Sequence, residues 1–135
     1  LLSRRQRQMC IRDSIHGGMS MCKVKMKVCE GQYLRSSVTL ESRQLLDLQV
    51  GKSVLALFKA SAATVSKDKP EDVSRCFLFG QVSRLPQKDK GGEVTLRLPN
   101  GLNVVGFIRG NHGLEVGSEA YIQIPEQSVV IALLG

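Results

Sequence analysis

Two nine-residue segments match one another without a gap, and this repeat constrains the fold more than any other feature of the chain. Lys23–Gly31 reads KVKMKVCEG, and Glu93–Gly101 reads EVTLRLPNG. In both, apolar residues alternate with polar ones, which is the period-2 pattern of a strand with one buried face. Each segment ends in a glycine turn, and Asn100-Gly101 is a strong hairpin signal. The chain therefore contains two copies of one β unit.

The correspondence between the two copies continues beyond these strands. Each copy is predicted to have a return strand, an apolar strand and a last β segment: Gln32–Val38 and Leu102–Ile108, Val54–Phe58 and Ala120–Ile124, Ala63–Val65 and Val129–Leu133. We expect each last segment to close its own unit. The second copy also opens with a strand, Cys76–Leu85, whereas no comparable strand is expected in the first.

Units of four or five short strands with glycine turns predict an all-β chain. The specific expectation is two small five-stranded barrels of the oligonucleotide/oligosaccharide-binding (OB) kind, with a short helical turn in each or in the first. Units this small bury little alone, so we expect the two to share a core and the chain to form a homodimer.

The first thirteen residues, LLSRRQRQMCIRD, show neither a strand period nor a helix period. They lack the apolar stretch of a secretory signal and resemble translated sequencing-adapter read-through, so we interpret residues 1–13 as a non-native leader. The alternative is a disordered basic arm that contacts phosphates. The predicted division is then a first repeat at 14–65 that lacks its N-terminal part, a polar linker at 66–73 and a second repeat at 74–135.

Composition limits the classes of function. The formal net charge is +7, and residues 1–13 supply +3 of it. The remaining +4, with Lys23, Lys25 and Lys27 on one strand face, motivates a nucleic-acid-binding OB-like module as one alternative. Aromatic residues make up only 4% of the chain and none lies among those lysines in sequence, which argues against that alternative.

Other classes receive less support from the sequence. The four cysteines form no C-x-x-C pair and lie near no histidine cluster, so we predict reduced thiols, a cytoplasmic protein and no zinc site. No apolar run approaches the roughly 18 residues of a membrane-spanning helix, so no membrane association is expected. No residues are arranged for acid-base or covalent chemistry, so we predict that the chain is not an enzyme.

Hydroxyl and lysine side chains near the ends of two predicted strands are the candidate ligand contacts. Thr39 ends the return strand, where it serves either as a helix N-cap or as an anion contact. Lys59 ends Val54–Phe58 and is followed by two small residues, so it is either a solvated lysine or a cation beside exposed backbone N–H groups. Together with Ser42, these side chains provide the donor-only lining that a dianion with four acceptor oxygens needs.

The strings that contain these residues resemble the Mop domain, the molybdate-binding branch of the TOBE group. They are T-L-E-S, at Thr39 to Ser42, and L-x-V-G-K-S-V-L-A-L-F-K-A-S after it. The second half, from Leu78-Phe79-Gly80 to SVVIALLG, resembles the second Mop repeat of molybdate-responsive transcriptional regulators. The resemblance covers residues 22–135. It implies that molybdate, or tungstate, is held by Thr39, Ser42 and Lys59 with the backbone N–H groups of Ala60 and Ser61, and without direct protein ligands to the metal.

The chain departs from the family pattern in two places. The S-A-R-N motif of the first repeat is absent, and only Arg75 stands at the arginine position in the second, where it forms either a surface ion pair or a secondary anion contact at an inter-repeat or inter-subunit boundary. The second repeat has Arg109-Gly110-Asn111-His112 in place of T-x-x-S and Pro125-Glu126-Gln127 in place of K-A-S. The exchange removes a cation and adds a carboxylate, so we predict that the second repeat is chiefly structural.

The resemblance implies an effector domain of an intracellular molybdate-dependent transcriptional regulator, which would contact DNA only through a domain upstream of this sequence. The alternative within the same chemistry is a stand-alone molybdate-storage protein made of Mop repeats.

Overall fold

The computed structural model describes residues 4–17, 21–70, 76–87 and 90–133. Within them the regular structure is mostly β: β1 (Arg4–Gly17), β2 (Met21–Cys29), β3 (Gln32–Thr39), α1 (Leu40–Leu45), β4 (Ser53–Phe58), β5 (Thr64–Ser66), β6 (Phe77–Arg84), β7 (Gly92–Arg97), β8 (Asn103–Ile108), β9 (Glu119–Gln123) and β10 (Val130–Leu133). Two 3₁₀ turns, at Ala60–Ala62 and Glu126–Ser128, precede β5 and β10. The all-β class and the short helix of the first repeat are confirmed. No helix of the described residues is long and apolar enough to cross a membrane.

The strands form one closed barrel, β5-β8-β7-β6-β9, and one five-stranded sheet in the order β10-β4-β1-β2-β3. Each half therefore has five strands, as predicted, but only one of the two closes into a barrel. The barrel closes because β5 and β8 pair in parallel at Thr64 and Phe107. At the corresponding edges of the open sheet, a side chain makes the link instead: the Ser36 hydroxyl donates to the Val129 carbonyl at 2.6 Å.

The last β segment of each repeat lies in the half formed by the other repeat. β5 pairs with β9 and β8 of the barrel, whereas β10 pairs with β4 of the sheet, for example at Val130 and Leu57. The prediction that each segment closes its own unit was wrong. Alternation of apolar residues marks the face of a strand that is buried, but it does not indicate which sheet edge accepts the strand.

The first repeat does have an opening strand, contrary to the prediction. β1 lies between β2 and β4, with Cys10 opposite both Lys27 and Ser53. Its sequence lacks apolar alternation, but a central strand is also held by backbone hydrogen bonds on both sides. The non-native origin of residues 1–13 and the division at 66–73 stay predictions.

The alternating segments bury the predicted faces. Val24, Met26 and Val28 of the first copy and their counterparts Val94, Leu96 and Leu98 all belong to one core that spans both halves. The turns after them place Gly31 at φ 75° and Gly101 at φ 85°, in the left-handed region that favours glycine. The internal repeat is therefore a structural repeat, and the exchanged strands join its copies into a common core.

Candidate functional site

Thr39 ends β3 and is the N-cap of α1. Its Oγ1 accepts a hydrogen bond from the Ser42 backbone N–H at 3.0 Å and lies 2.8 Å from Ser42 Oγ, to which it donates. The capping interpretation is thus confirmed. The hydroxyl pair uses one of its two hydrogens, and the hydrogen of Ser42 has no acceptor among the described residues. Capping therefore leaves one hydroxyl donor at the exposed end of β3.

Lys59 directly follows β4 and precedes the first 3₁₀ turn. Its backbone is extended, with φ −78° and ψ 138°, and its carbonyl accepts from the Ala62 N–H at 3.0 Å. The side chain is exposed, and its ammonium has no carboxylate partner in the described part of the chain. The N–H groups of Ala60 and Ser61 come before the first bond of the turn, so the turn leaves them unpaired. This half of the site again presents donors only.

The two halves of the predicted site do not meet within one chain. Along the sheet order, β4, β1, β2 and β3 are antiparallel in succession, so the ends of β3 and β4 lie at opposite ends of the sheet. Opposite ends of strands of this length are on the order of 20 Å apart. Donors to one anion must lie within about 3 Å of its oxygens, so Thr39 and Lys59 of the same chain cannot share one.

The outer face of β2 and β3 contains neighbours of Thr39 that the sequence reasoning missed. Lys23 lies opposite Ser37, two residues before Thr39 on the same face. The Lys23 ammonium is 3.5 Å from the carboxylate of Glu126. The carboxylate that was expected to repel an anion in the second repeat is thus partly neutralised. The register of the hairpin around the Gly31 turn could have indicated that Lys23 lies opposite Ser37, but not that it pairs with Glu126.

The same hairpin places an aromatic ring beside the β2 lysines, contrary to the expectation from the sequence. Tyr33 lies opposite Lys27 in the register, and the Lys25 ammonium is 4.3 Å from the centroid of its ring. An aromatic side chain therefore does lie among the β2 lysines in space, although none lies among them in sequence. The hairpin produces this proximity because residues on facing strands share a face.

The second repeat has the same extended residue before a 3₁₀ turn as the first, but its described residues contain no helix after β8 that corresponds to α1. Pro125 precedes the second 3₁₀ turn in the extended conformation that Lys59 has, but it offers no cation. The Nδ1 of His112 accepts from the Leu114 N–H at 2.9 Å, and its Nε2 is buried without a partner among the described residues. Arg75, the predicted secondary anion contact, lies outside the described residues.

Three of the four cysteines have side chains that the structure describes, and all three are core residues. Cys22, Cys29 and Cys76 are free and buried. Burial raises the pKa of the Cys29 and Cys76 thiols above the ordinary value of 9.0, so both are neutral at physiological pH. The described residues contain no group of three or more His, Cys, Asp and Glu side chains that could hold a metal ion.

The fold and the site define an all-β protein with hydrogen-bond donors at the ends of two strands. Comparison with known families identifies the family that it resembles. Residues 11–65 match the TOBE domain. This matching segment, the TOBE segment, contains Thr39, Ser42 and the K-A-S string that begins at Lys59, and the predicted resemblance is confirmed.

Two relatives are similar over most of the chain. The molybdenum transport protein ModE of Azotobacter vinelandii is 27% identical over 118 residues, which cover 84% of this chain and 44% of ModE. The chain thus spans less than half the length of that relative. A crystal structure of the cytoplasmic molybdate-binding protein ModG, with molybdate bound, matches with a TM-score of 0.83 and 25% identity over 97% of this chain and 96% of ModG.

Proposed function

We propose that this chain binds molybdate, or tungstate of the same shape and charge, at a site assembled from two copies of the chain. One observation carries the proposal: the TOBE segment contains two donor-only half-sites, one at the end of β3 and one at the end of β4. The molybdate bound to ModG supports molybdate as the anion, and the name of ModE, a molybdenum transport protein, agrees with it.

The donors suit a tetrahedral dianion without protons. The Ser42 hydroxyl, with Thr39 behind it, supplies a neutral donor, and Lys59 supplies a positive one. The N–H groups of Ala60 and Ser61 add fixed donors beside the ammonium. A ligand with four acceptor oxygens and two negative charges can use all of these donors, whereas a ligand that must donate hydrogen bonds meets an ammonium and two N–H groups that cannot accept.

A second copy of the chain completes the site because the half-sites of one chain leave the sheet at opposite ends. In a homodimer with two-fold symmetry, Thr39 and Ser42 of one chain face the Lys59 loop of its partner, and the reverse contact forms a second site. Each anion then stabilises the assembled state over the separate chains, because only that state offers the complete donor set.

Two cellular roles fit this chemistry. The ModE match supports an effector domain of an intracellular regulator. In that role the anion shifts the equilibrium of a dimer, and this shift changes how an upstream DNA-binding domain contacts DNA. The ModG match, which extends over nearly all of both chains, supports a stand-alone cytoplasmic storage protein. In neither role does the site perform catalysis. Molybdate-dependent binding of the complete gene product to its own promoter supports the regulator, and high-capacity molybdate binding without DNA affinity supports storage.

The experiment that tests the binding proposal is calorimetric titration with molybdate. Replacing Lys59 by alanine is expected to weaken binding by about 1.5–3 kcal/mol, the range for a hydrogen bond to a charged group. Lys67→Ala is the matched control, because Lys67 is also an exposed lysine near a strand end but belongs to neither half-site. Equal affinities for the wild type and Lys59→Ala would overturn the assignment.

A further inference from the structure

The helix α1 contains Ser42, one of the proposed oxyanion contacts, and it is held mainly at its two ends. It is six residues long, none of its side chains is buried, and Leu45 is 77% exposed. So short a helix is not stable by itself in water, because its few hydrogen bonds do not offset the cost of nucleation. Thr39 caps the N-terminal end, and Leu46, directly after the helix, packs against the core. Contacts at the ends therefore keep α1 formed.

Lys52 makes the polar contact at the C-terminal end of α1. Its half-buried ammonium donates to the carbonyl of Leu46 at 2.8 Å and to that of Asp47 at 3.1 Å. A cation is favourable there, because the last carbonyls of a helix carry partial negative charge. Asp47 has φ 50°, in the left-handed region that favours glycine. Lys52 thus holds a turn that the backbone of Asp47 disfavours.

The second repeat offers an internal comparison for this lysine. The L-x-V-G string that precedes Lys52 recurs before β9, where Ser118 takes the place of the lysine and Gly113, with φ 72°, that of Asp47. The Ser118 hydroxyl accepts from the Glu115 N–H at 3.1 Å. The residues between β8 and β9 are all described, and none of them is helical. The lysine therefore occurs in the repeat that has the helix and is replaced in the repeat that lacks it.

A continuous series of hydrogen bonds connects Lys52 to the hydroxyl pair of the site. Lys52 binds the carbonyl of Leu46, and the Leu46 N–H donates to the Ser42 carbonyl at 2.9 Å. The Ser42 N–H in turn donates to Thr39 Oγ1 at 3.0 Å, and the two hydroxyl oxygens lie 2.8 Å apart. The ends of a six-residue helix are about 9 Å apart, so the Lys52 ammonium does not itself reach an anion held at Thr39.

We propose that Lys52 is a positioning residue of the oxyanion site, which keeps α1 formed and thereby holds the Ser42 hydroxyl in place for the anion. The inference rests on the proposed function, because it concerns the hydroxyl half of that site. When the helix opens, the Ser42 N–H leaves Thr39 and the two hydroxyls lose their fixed separation. Binding must then include the cost of ordering them again, which lowers the affinity.

The test is calorimetric titration of molybdate into Lys52→Met, whose side chain is of similar length but has no donor. The affinity should fall about tenfold through the lost bonds at the end of α1. Lys52→Arg, which can donate to the same carbonyls, should stay within about threefold of the wild type. Lys67→Met, which removes an exposed lysine after β5, is the matched control and should bind as the wild type does. Wild-type affinity in Lys52→Met, or equal losses in Lys52→Met and Lys52→Arg, overturns the proposal.

A double-variant cycle separates positioning from a direct effect of charge. In the Thr39→Ala/Ser42→Ala background, Lys52→Met should change the affinity by less than about twofold, because the hydroxyls through which it acts are gone. Attraction through space would persist in that background, so a full tenfold loss there overturns the proposal. A loss in Lys59→Ala without one in Lys52→Met overturns this inference alone, whereas no loss in Lys59→Ala overturns the proposed function.

Hydrogen exchange of the Leu46 amide reports on the helix itself. Exchange should be faster in Lys52→Met than in the wild type, while the amides of β2 remain as protected as before. Equal exchange of the Leu46 amide in the two proteins overturns the proposal. If Lys52→Met does not unfold cooperatively in urea, Lys52→Ser, which introduces the residue of the second repeat, takes its place in every measurement.

Discussion

The buried hydroxyl of Ser36 donates a hydrogen bond of 2.6 Å to the carbonyl of Val129, which links β3 of the first repeat to the exchanged segment of the second. The corresponding position in the other half is Gly106. There the neighbouring Phe107 N–H makes the link to the Ala63 carbonyl at 2.9 Å. A Cβ atom at Gly106 would lie only 3.1 Å from that carbonyl oxygen. A serine side chain thus replaces a backbone contact at one of the two strand exchanges.

Ser36→Ala should lower the free energy of unfolding by about 1–3 kcal/mol, because the buried Val129 carbonyl loses its donor. Urea unfolding measures the change. Ser37→Ala is the neighbouring control, since Ser37 is only half-buried and makes no such bond to the exchanged segment. Equal losses in the two variants would show that the link contributes nothing specific.

Thr39→Asp should separate capping from anion binding. Aspartate caps a helix about as well as threonine, so the unfolding free energy is expected to change by less than about 0.5 kcal/mol. Molybdate affinity should nevertheless fall at least about tenfold, because a carboxylate at the end of β3 repels a dianion. Urea unfolding and calorimetry on the same preparation check both statements. Undiminished molybdate binding by Thr39→Asp would remove Thr39 from the site.

Stability should decline at alkaline pH because of two buried thiols. Burial raises the pKa of Cys29 and Cys76 above 9.0, so the unfolded chain loses these protons first as the pH rises. The stabilising contribution is complete below pH 9.0 and decreases as the pH approaches the folded-state pKa values. The double variant Cys29→Ala/Cys76→Ala should lose less unfolding free energy over that interval. Identical pH slopes in the wild type and the double variant would contradict the assignment.

The sequence predicted the local structure of the repeats well, because apolar alternation reports directly which face of a strand is buried. It located β3 and β8 to within one residue at each end, and it identified the core faces of β2 and β7. It failed where the answer depends on long-range pairing. Nothing in Thr64–Ser66 or Val130–Leu133 indicates that these strands cross to the other half, and β1 lacks the alternation by which the other strands were recognised.

The candidate site was predictable as a set of residues but not as an arrangement. The types and spacing of Thr39, Ser42 and Lys59 identified donors that lie in the TOBE segment. Their placement at opposite ends of an antiparallel sheet depends on the strand order, which the sequence does not encode locally. The Lys25–Tyr33 contact, by contrast, follows from the hairpin register alone and could have been inferred.

The central claim is that each oxyanion is held between two copies of the chain, and subunit mixing tests it most directly. Thr39→Ala/Ser42→Ala and Lys59→Ala are each assayed at a molybdate concentration that saturates the wild type but neither variant. Random mixing of equal amounts should restore about one quarter of the wild-type sites, because one site in four then pairs an intact hydroxyl half with an intact lysine half. Chains that demonstrably exchange subunits and yet recover no site would contradict the account.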